Sequence, residues 1–153
     1  MPISARYTHT NLIARDWRRL AEFYEQVLGC TPVPPERHLA GSWLEEATHL
    51  PGAKLQGQHL RLPGYSAAGP TLEIFEYVEM LERPATAVNR PGLAHLAFAV
   101  DDVPAAQAAV LAAGGSAVGQ VVTADIAGAG RITFAYVADP EGNVIELQQW
   151  ERG

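Results

Sequence analysis

The chain has 153 residues and a formal net charge of −6. With 48% apolar and 18% charged residues it fits one soluble globular domain, 1–153, long enough to bury a core without staples. The acidic balance and scattered Lys and Arg argue against a nucleic-acid partner, no apolar run nears a membrane span, and the single cysteine, Cys30, excludes an internal disulfide and a Cys-cluster zinc site.

The first eleven residues lack the apolar core of a signal peptide, which makes the cytoplasm the expected compartment. His9 stands in a short strand-like run. Asp16 then offers its carboxylate to the free N–H groups of a first helical turn. Trp17, Leu20, Ala21, Tyr24, Val27 and Leu28 recur at helical spacing, and Gly29 is placed to close the helix. Strands are expected at Ser42–Leu44, Lys54–Leu62 and Thr71–Tyr77. The segment 79–91 is polar, holds two prolines and shows no clear period, so it reads as a linker.

The pattern then restarts. His95 lies in a strand-like run, and Asp102 precedes a helix whose first turn tolerates Pro104. Val103, Ala106, Val110 and Leu111 form a thinner stripe ending at Gly114–Gly115. Strands are expected at Ala117–Val122, Ile132–Ala138 and Val144–Gln149. Asp139-Pro140-Glu141-Gly142-Asn143 is the turn between the last two. Residues 124–131 read as a connecting loop, with a mobile lid as the alternative. Each half is therefore βαβββ: module one at 4–78 and module two at 92–150.

Four residues occupy matched places. His9 and His95 lie on the first strand of each half, and Glu73 and Glu146 on the last, in Thr-Leu-Glu-Ile and Val-Ile-Glu-Leu settings. A carboxylate within such a strand must face water or find a partner. Strand side chains alternate, so Glu73 shares a face with Phe75 and Tyr77, Glu146 with Gln148, and His9 with Asn11. Two His and two Glu suit a metal that takes mixed N and O ligands. Taken singly, each is more often a structural or wet-face residue; the repetition is what raises them. His38, His49 and His59 have no match in the other half and are read as surface residues or as residues behind the ligands. Arg61, Arg90 and Arg131 are candidates for an anionic substrate group, and Trp43 for the rim of the site.

The ordered set resembles the vicinal oxygen chelate superfamily, which includes glyoxalase I, methylmalonyl-CoA epimerase, extradiol dioxygenases, fosfomycin-resistance enzymes and bleomycin-binding proteins. The resemblance rests on His9-Thr10 with Asp16, on Phe23 through Gly29, and on Leu72-Glu73-Ile74. It continues through His95 to Asp101 and through Asp139 to Asn143, leading to Ile145-Glu146-Leu147. It implies an α+β fold of two tandem βαβββ modules forming a cupped mixed sheet with the helices outside. It implies metal ligands at His9, Glu73, His95 and Glu146, a divalent ion (Ni, Co, Zn, Mn or Mg), and a homodimer.

This ligand set looks most like that of glyoxalase I, with the epimerase next. Ile13 and Tyr77 stand where bacterial glyoxalase I typically has an Arg and an Asn, and Gln56 where the epimerase has a second catalytic Glu. The chemistry implied is loss of a proton next to a carbonyl, through an enediolate or enolate, in a small substrate with adjacent oxygens. Glu146 and Glu73 are the expected catalytic carboxylates. Asn11, Phe75, Tyr77 and Gln148 are the expected substrate contacts. The alternatives are a ring-cleaving dioxygenase using Fe, and a metal-free binding or resistance protein.

Overall fold

The computed structural model describes residues 1–151. The chain divides into two compact units, the first Met1–Glu82 and the second from Arg83 onward. Among the described residues, no helix is long and apolar enough to cross a membrane.

The first unit runs β1 (His9–Ile13), α1 (Trp17–Leu28), β2 (Thr31–Ala40), α2 (Ser42–Thr48), β3 (Lys54–Arg61) and β4 (Thr71–Tyr77). Its four-stranded sheet has the order β1-β4-β3-β2, with β1 parallel to β4 and the other pairs antiparallel. A parallel pair cannot be joined by a tight turn, so the chain between β1 and β4 must cross over; α1 is part of that crossover. Asp16 caps α1 by accepting from the Arg19 N–H, and Gly29 ends it at φ 73°. The buried stripe Trp17, Leu20, Ala21, Phe23 and Tyr24 packs the helix on β3 and β4. Leu72 and Ile74 alternate with Glu73, so β4 buries its leucine and isoleucine on one face and carries the carboxylate on the other.

The expected strand at Ser42–Leu44 is corrected: these residues begin α2, and Trp43 is exposed. The second strand lies earlier, at Thr31–Ala40, where three prolines hide it from a propensity reading. Proline cannot donate to a ladder, so such a strand belongs at an edge or a bulge. Here β2 is one of the two edge strands, and its register with β3 shifts between Val33 and Arg37, across Pro34, Pro35 and Glu36.

The second unit runs β5 (His95–Ala99), α3 (Val103–Ala112), β6 (Ser116–Ala117), β7 (Val122–Ile126), β8 (Gly130–Ala138) and β9 (Val144–Glu151). The order is β5-β9-β8-β6, with β7 also paired to β8 and β5 parallel to β9. Asp102 caps α3 through the Ala105 N–H. The strand expected at Ala117–Val122 is corrected to two pieces, β6 and β7. Between them the N–H groups of Val118 and Gly119 both donate to the Tyr136 carbonyl, which breaks the regular ladder. The stretch 124–131, expected as a loop or lid, is mostly the β7–β8 hairpin; only 127–129 turn.

The Asp139 carboxylate, 2% exposed, organises the β8–β9 turn. It accepts from the backbone N–H of Glu141 at 2.9 Å and of Asn143 at 3.0 Å, and from Asn143 Nδ2 at 2.8 Å. Residues 79–91 form neither helix nor strand. Arg83 and Thr86 within them donate to the same turn, to Asn143 Oδ1 and the Gly142 carbonyl.

Candidate metal centre

Glu73 sits mid-strand on β4, directly opposite Asn11 on β1 and His59 on β3. It is 9% exposed. Such a carboxylate needs partners, and the neighbouring strands supply them. Asn11 Nδ2 donates to Glu73 Oε1 at 3.0 Å, and His9 Nε2 lies 3.4 Å from the same oxygen. His59 Nε2 lies 2.6 Å from Glu73 Oε2. The His9 and His59 rings meet edge to face with centroids 5.3 Å apart. His59 titrates below the ordinary histidine range. Burial is the main cause, opposed by the Glu73 charge and reinforced by Arg37 and His9. It is therefore held neutral at pH 7, the form that offers a lone pair.

One donor atom each from His9, His59 and Glu73 fall within 4.8 Å of one another. Two imidazoles and a carboxylate are donors that divalent first-row metals accept, so this group fits the ion the resemblance implies. Of the two expected places for His59, the surface one is set aside: its ring is only partly exposed and faces Glu73 from the next strand, within hydrogen-bond reach. Phe75 and Tyr77 share the Glu73 face but pack against the apolar cluster of Leu44, Ala53 and Leu55.

The second unit repeats the layout with different side chains. Glu146 on β9 is opposite Ala97 on β5 and Tyr136 on β8. His95 Nε2 stands 3.8 Å from Glu146 Oε2, a looser approach than either histidine makes to Glu73. Gln148 Nε2 donates to Glu146 Oε2 at 2.8 Å, and Trp150 Nε1 donates to Gln148 Oε1 at 2.7 Å. Tyr136 titrates above the ordinary tyrosine range, first through burial, then through the Glu146 charge and a hydrogen bond to it. Its ring packs against those of His95 and Phe134. Sequence reasoning missed Tyr136 as well. Counting outward from the Asp139–Asn143 turn would have found it, because Ala138 faces Val144 and Tyr136 then faces Glu146.

Of the candidate arginines, Arg131 pairs with Asp125 at 3.1 Å and Arg90 donates to the Ala85 carbonyl at 2.9 Å. Both are occupied by local structure.

The model of the glyoxalase-like domain matches residues 9–148, from His9 through Gln148. The chain belongs to the glyoxalase-like family. Within the vicinal oxygen chelate superfamily, its fold is shared by several solved structures. A glyoxalase family protein from Bacillus cereus superposes with a TM-score of 0.82 at 17% identity, covering 99% of this chain and 97% of that one. A glyoxalase/bleomycin resistance protein/dioxygenase domain from Frankia gives a TM-score of 0.62 at 18% identity, covering 97% and 100%. A glyoxalase/bleomycin resistance protein/dioxygenase family enzyme from Burkholderia phytofirmans gives 0.61 at 17%, covering 96% and 100%. Comparison with the curated proteins gave no match. The span matched to the glyoxalase-like family contains both glutamates and the residues opposite them.

Proposed function

We propose that this glyoxalase-like protein is a metal-dependent lyase, isomerase or epimerase. Its substrate is a small molecule with adjacent oxygens, from which a proton next to a carbonyl is removed and then returned. The observation that carries the reading is Glu73: a buried carboxylate met by two imidazoles and an amide, in a matched position that the second unit repeats with Glu146. The proposed metal donors are His9 and Glu73 in the first unit and His95 and Glu146 in the second. When bound, the ion supplies Lewis-acid polarisation of the substrate carbonyl, which acidifies the neighbouring C–H.

The protein's own groups do the rest. Glu146 is the proposed base, and Glu73 the second carboxylate able to hold a proton. Gln148 donates to Glu146 and fixes the plane of its carboxylate. Burial and the Glu146 charge keep the Tyr136 hydroxyl protonated at neutral pH, so it steadies the same carboxylate as a donor. Asn11 plays the corresponding part for Glu73. Asn11 and Gln148 are also the proposed polar contacts to substrate, with Phe75 and Tyr77 as apolar ones. The same reading includes a homodimer in the cytoplasm; sedimentation velocity tests the dimer.

A second reading has one observation in its favour. Two histidines and one glutamate within a single cluster are the donor set of non-haem Fe(II) oxygenases, which favours a ring-cleaving dioxygenase. Metal analysis of protein purified without chelators comes first, because a metal-free binding protein would carry none. Proton NMR in deuterated water then screens 2-oxo acids, 2-hydroxyaldehydes and acyl-CoA thioesters. Exchange of an α-proton without oxygen uptake, lost in Glu146→Gln, supports the isomerase class. Oxygen uptake with catechols overturns it.

A further inference from the structure

We infer that His59 is a third metal donor of the first unit, acting with His9 and Glu73. The inference rests on the metal-dependent reading above and adds to it a ligand that the repeat does not supply, since the matching position in the second unit is Tyr136.

Three observations converge. The first is spacing. Two donors each about 2.1 Å from one ion, and at right angles, stand about 3.0 Å apart. The 2.6 Å between His59 Nε2 and Glu73 Oε2 and the 3.4 Å between His9 Nε2 and Glu73 Oε1 bracket that edge length. The second is orientation. Both rings turn Nε2 toward Glu73 and Nδ1 toward a threonine hydroxyl: His59 to Thr71 Oγ1 at 2.7 Å and His9 to Thr8 Oγ1 at 3.4 Å. A metal-binding histidine almost always donates its other ring N–H to an oxygen, which fixes the tautomer and leaves the facing nitrogen free for the ion. The third is placement. His59 is mid-strand and directly opposite Glu73, with its side chain 17% exposed, so its ring is held by the sheet and not by a loop.

The competing role is a positioning one, in which His59 only donates a hydrogen bond that orients Glu73. Glutamine separates the two. His59→Gln keeps an amide donor for the carboxylate but offers a poor metal ligand. The test uses the full chain, stripped with a chelator and titrated with Co²⁺ alone, with folding checked by circular dichroism. Loss of an outer partner costs about 10–100-fold in metal affinity. A lost ligand should therefore cost more than about 100-fold in both His59→Ala and His59→Gln. In the Co²⁺ protein, one strongly shifted imidazole N–H resonance, that of His59 Nδ1–H held by Thr71, should disappear from the proton spectrum of both variants.

A smaller affinity loss in the Gln variant, or retention of every shifted N–H signal, overturns the inference and leaves His59 as a positioning residue. If His59→Ala fails to fold, the Gln variant carries the test. If the wild-type chain takes up no Co²⁺, the metal-dependent reading falls together with the inference. If wild type and Gln variant bind alike, only the inference falls.

Discussion

Glu73 holds two separable kinds of free energy, and two substitutions divide them. Without metal, Glu73→Ala removes the acceptor for Asn11 Nδ2 and for the Nε2–H tautomer of the neutral His59 ring, both part-buried; with metal that proton moves to Nδ1, against Thr71 Oγ1. A donor left unpaired out of water costs about 1–3 kcal/mol. Two such donors give about 2–6 kcal/mol, with the lower half favoured because the His9 side chain beside them is 39% exposed and admits water. Glu73→Gln keeps one acceptor oxygen for Asn11 Nδ2, its amide N–H can donate to His59 Nε2 once the ring proton sits on Nδ1 against Thr71 Oγ1, and a buried charge that was itself costly to desolvate is given up. It should fall within about 1 kcal/mol of wild type when no metal is present.

Metal adds the second term. An ion at 100 times its dissociation constant stabilises the native state by about 2.7 kcal/mol, and both variants should lose that increment. The assay is urea denaturation followed by circular dichroism, once in EDTA and once with Co²⁺. The expected pattern has Ala low in both conditions, Gln near wild type in EDTA only, and wild type alone rising with metal. A loss below about 1 kcal/mol for Glu73→Ala in EDTA would mean that water already satisfies the donors. A rise for Glu73→Gln equal to that of wild type would refute ligation by the carboxylate.

Three other outcomes follow from the packing. At Gly57 a Cβ would stand 1.9 Å from the Ile74 carbonyl oxygen and 2.7 Å from Phe75 Cδ1, so Gly57→Ala must push β3 off β4. It should cost about 3 kcal/mol or more in urea denaturation and weaken Co²⁺ binding through displacement of His59. Asp139→Ala removes the acceptor of three turn hydrogen bonds and should cost about 2–4 kcal/mol, with Asp139→Asn recovering part; a loss under about 1 kcal/mol would show that the Pro140–Gly142 backbone holds the turn unaided. Burial, with the Glu25 charge behind it, pushes the Cys30 thiol up to about 12. Iodoacetamide at pH 8 should thus label the folded chain more than about 100-fold more slowly than the urea-unfolded chain. The unfolded chain also sheds this proton first, from about pH 8.5, so the thiol's contribution to stability is complete below that pH and declines above it as the pH approaches 12.

What the sequence disclosed follows from how local each signal is. α1 is written in its cap, stripe and closing glycine, and the structure starts and ends it at those residues. β4 has the bounds expected, because its β-prone run is set off by Pro70 before it and by the polar segment that begins at Glu79 after it. β2 is not legible, because its prolines oppose strand formation everywhere except at the edge, and which strand is an edge is a property of the whole sheet. His9, Glu73, His95 and Glu146 were visible through repetition. His59 was not, because its partner lies across a hairpin whose loop, 62–70, is too long for its Pro63-Gly64 and Gly69-Pro70 turn signals to fix the register.

The repeat also says where the two units have diverged. Each glutamate has one register partner on the parallel strand and one on the antiparallel strand. The first unit fills these slots with Asn11 and His59, and the second with Ala97 and Tyr136. Because the backbone slots are the same, the difference in chemistry is carried by side chains alone. An imidazole and an amide fasten Glu73 on both oxygens, as suits a carboxylate meant to stay in place. Alanine gives Glu146 nothing from the parallel side, and its histidine stands farther off, at 3.8 Å. That asymmetry assigns the roles in the proposed reaction. Glu146, whose histidine stands farther off than either of those at Glu73, is the proposed carboxylate to take up a proton, and Glu73 the proposed one to stay fixed as a ligand.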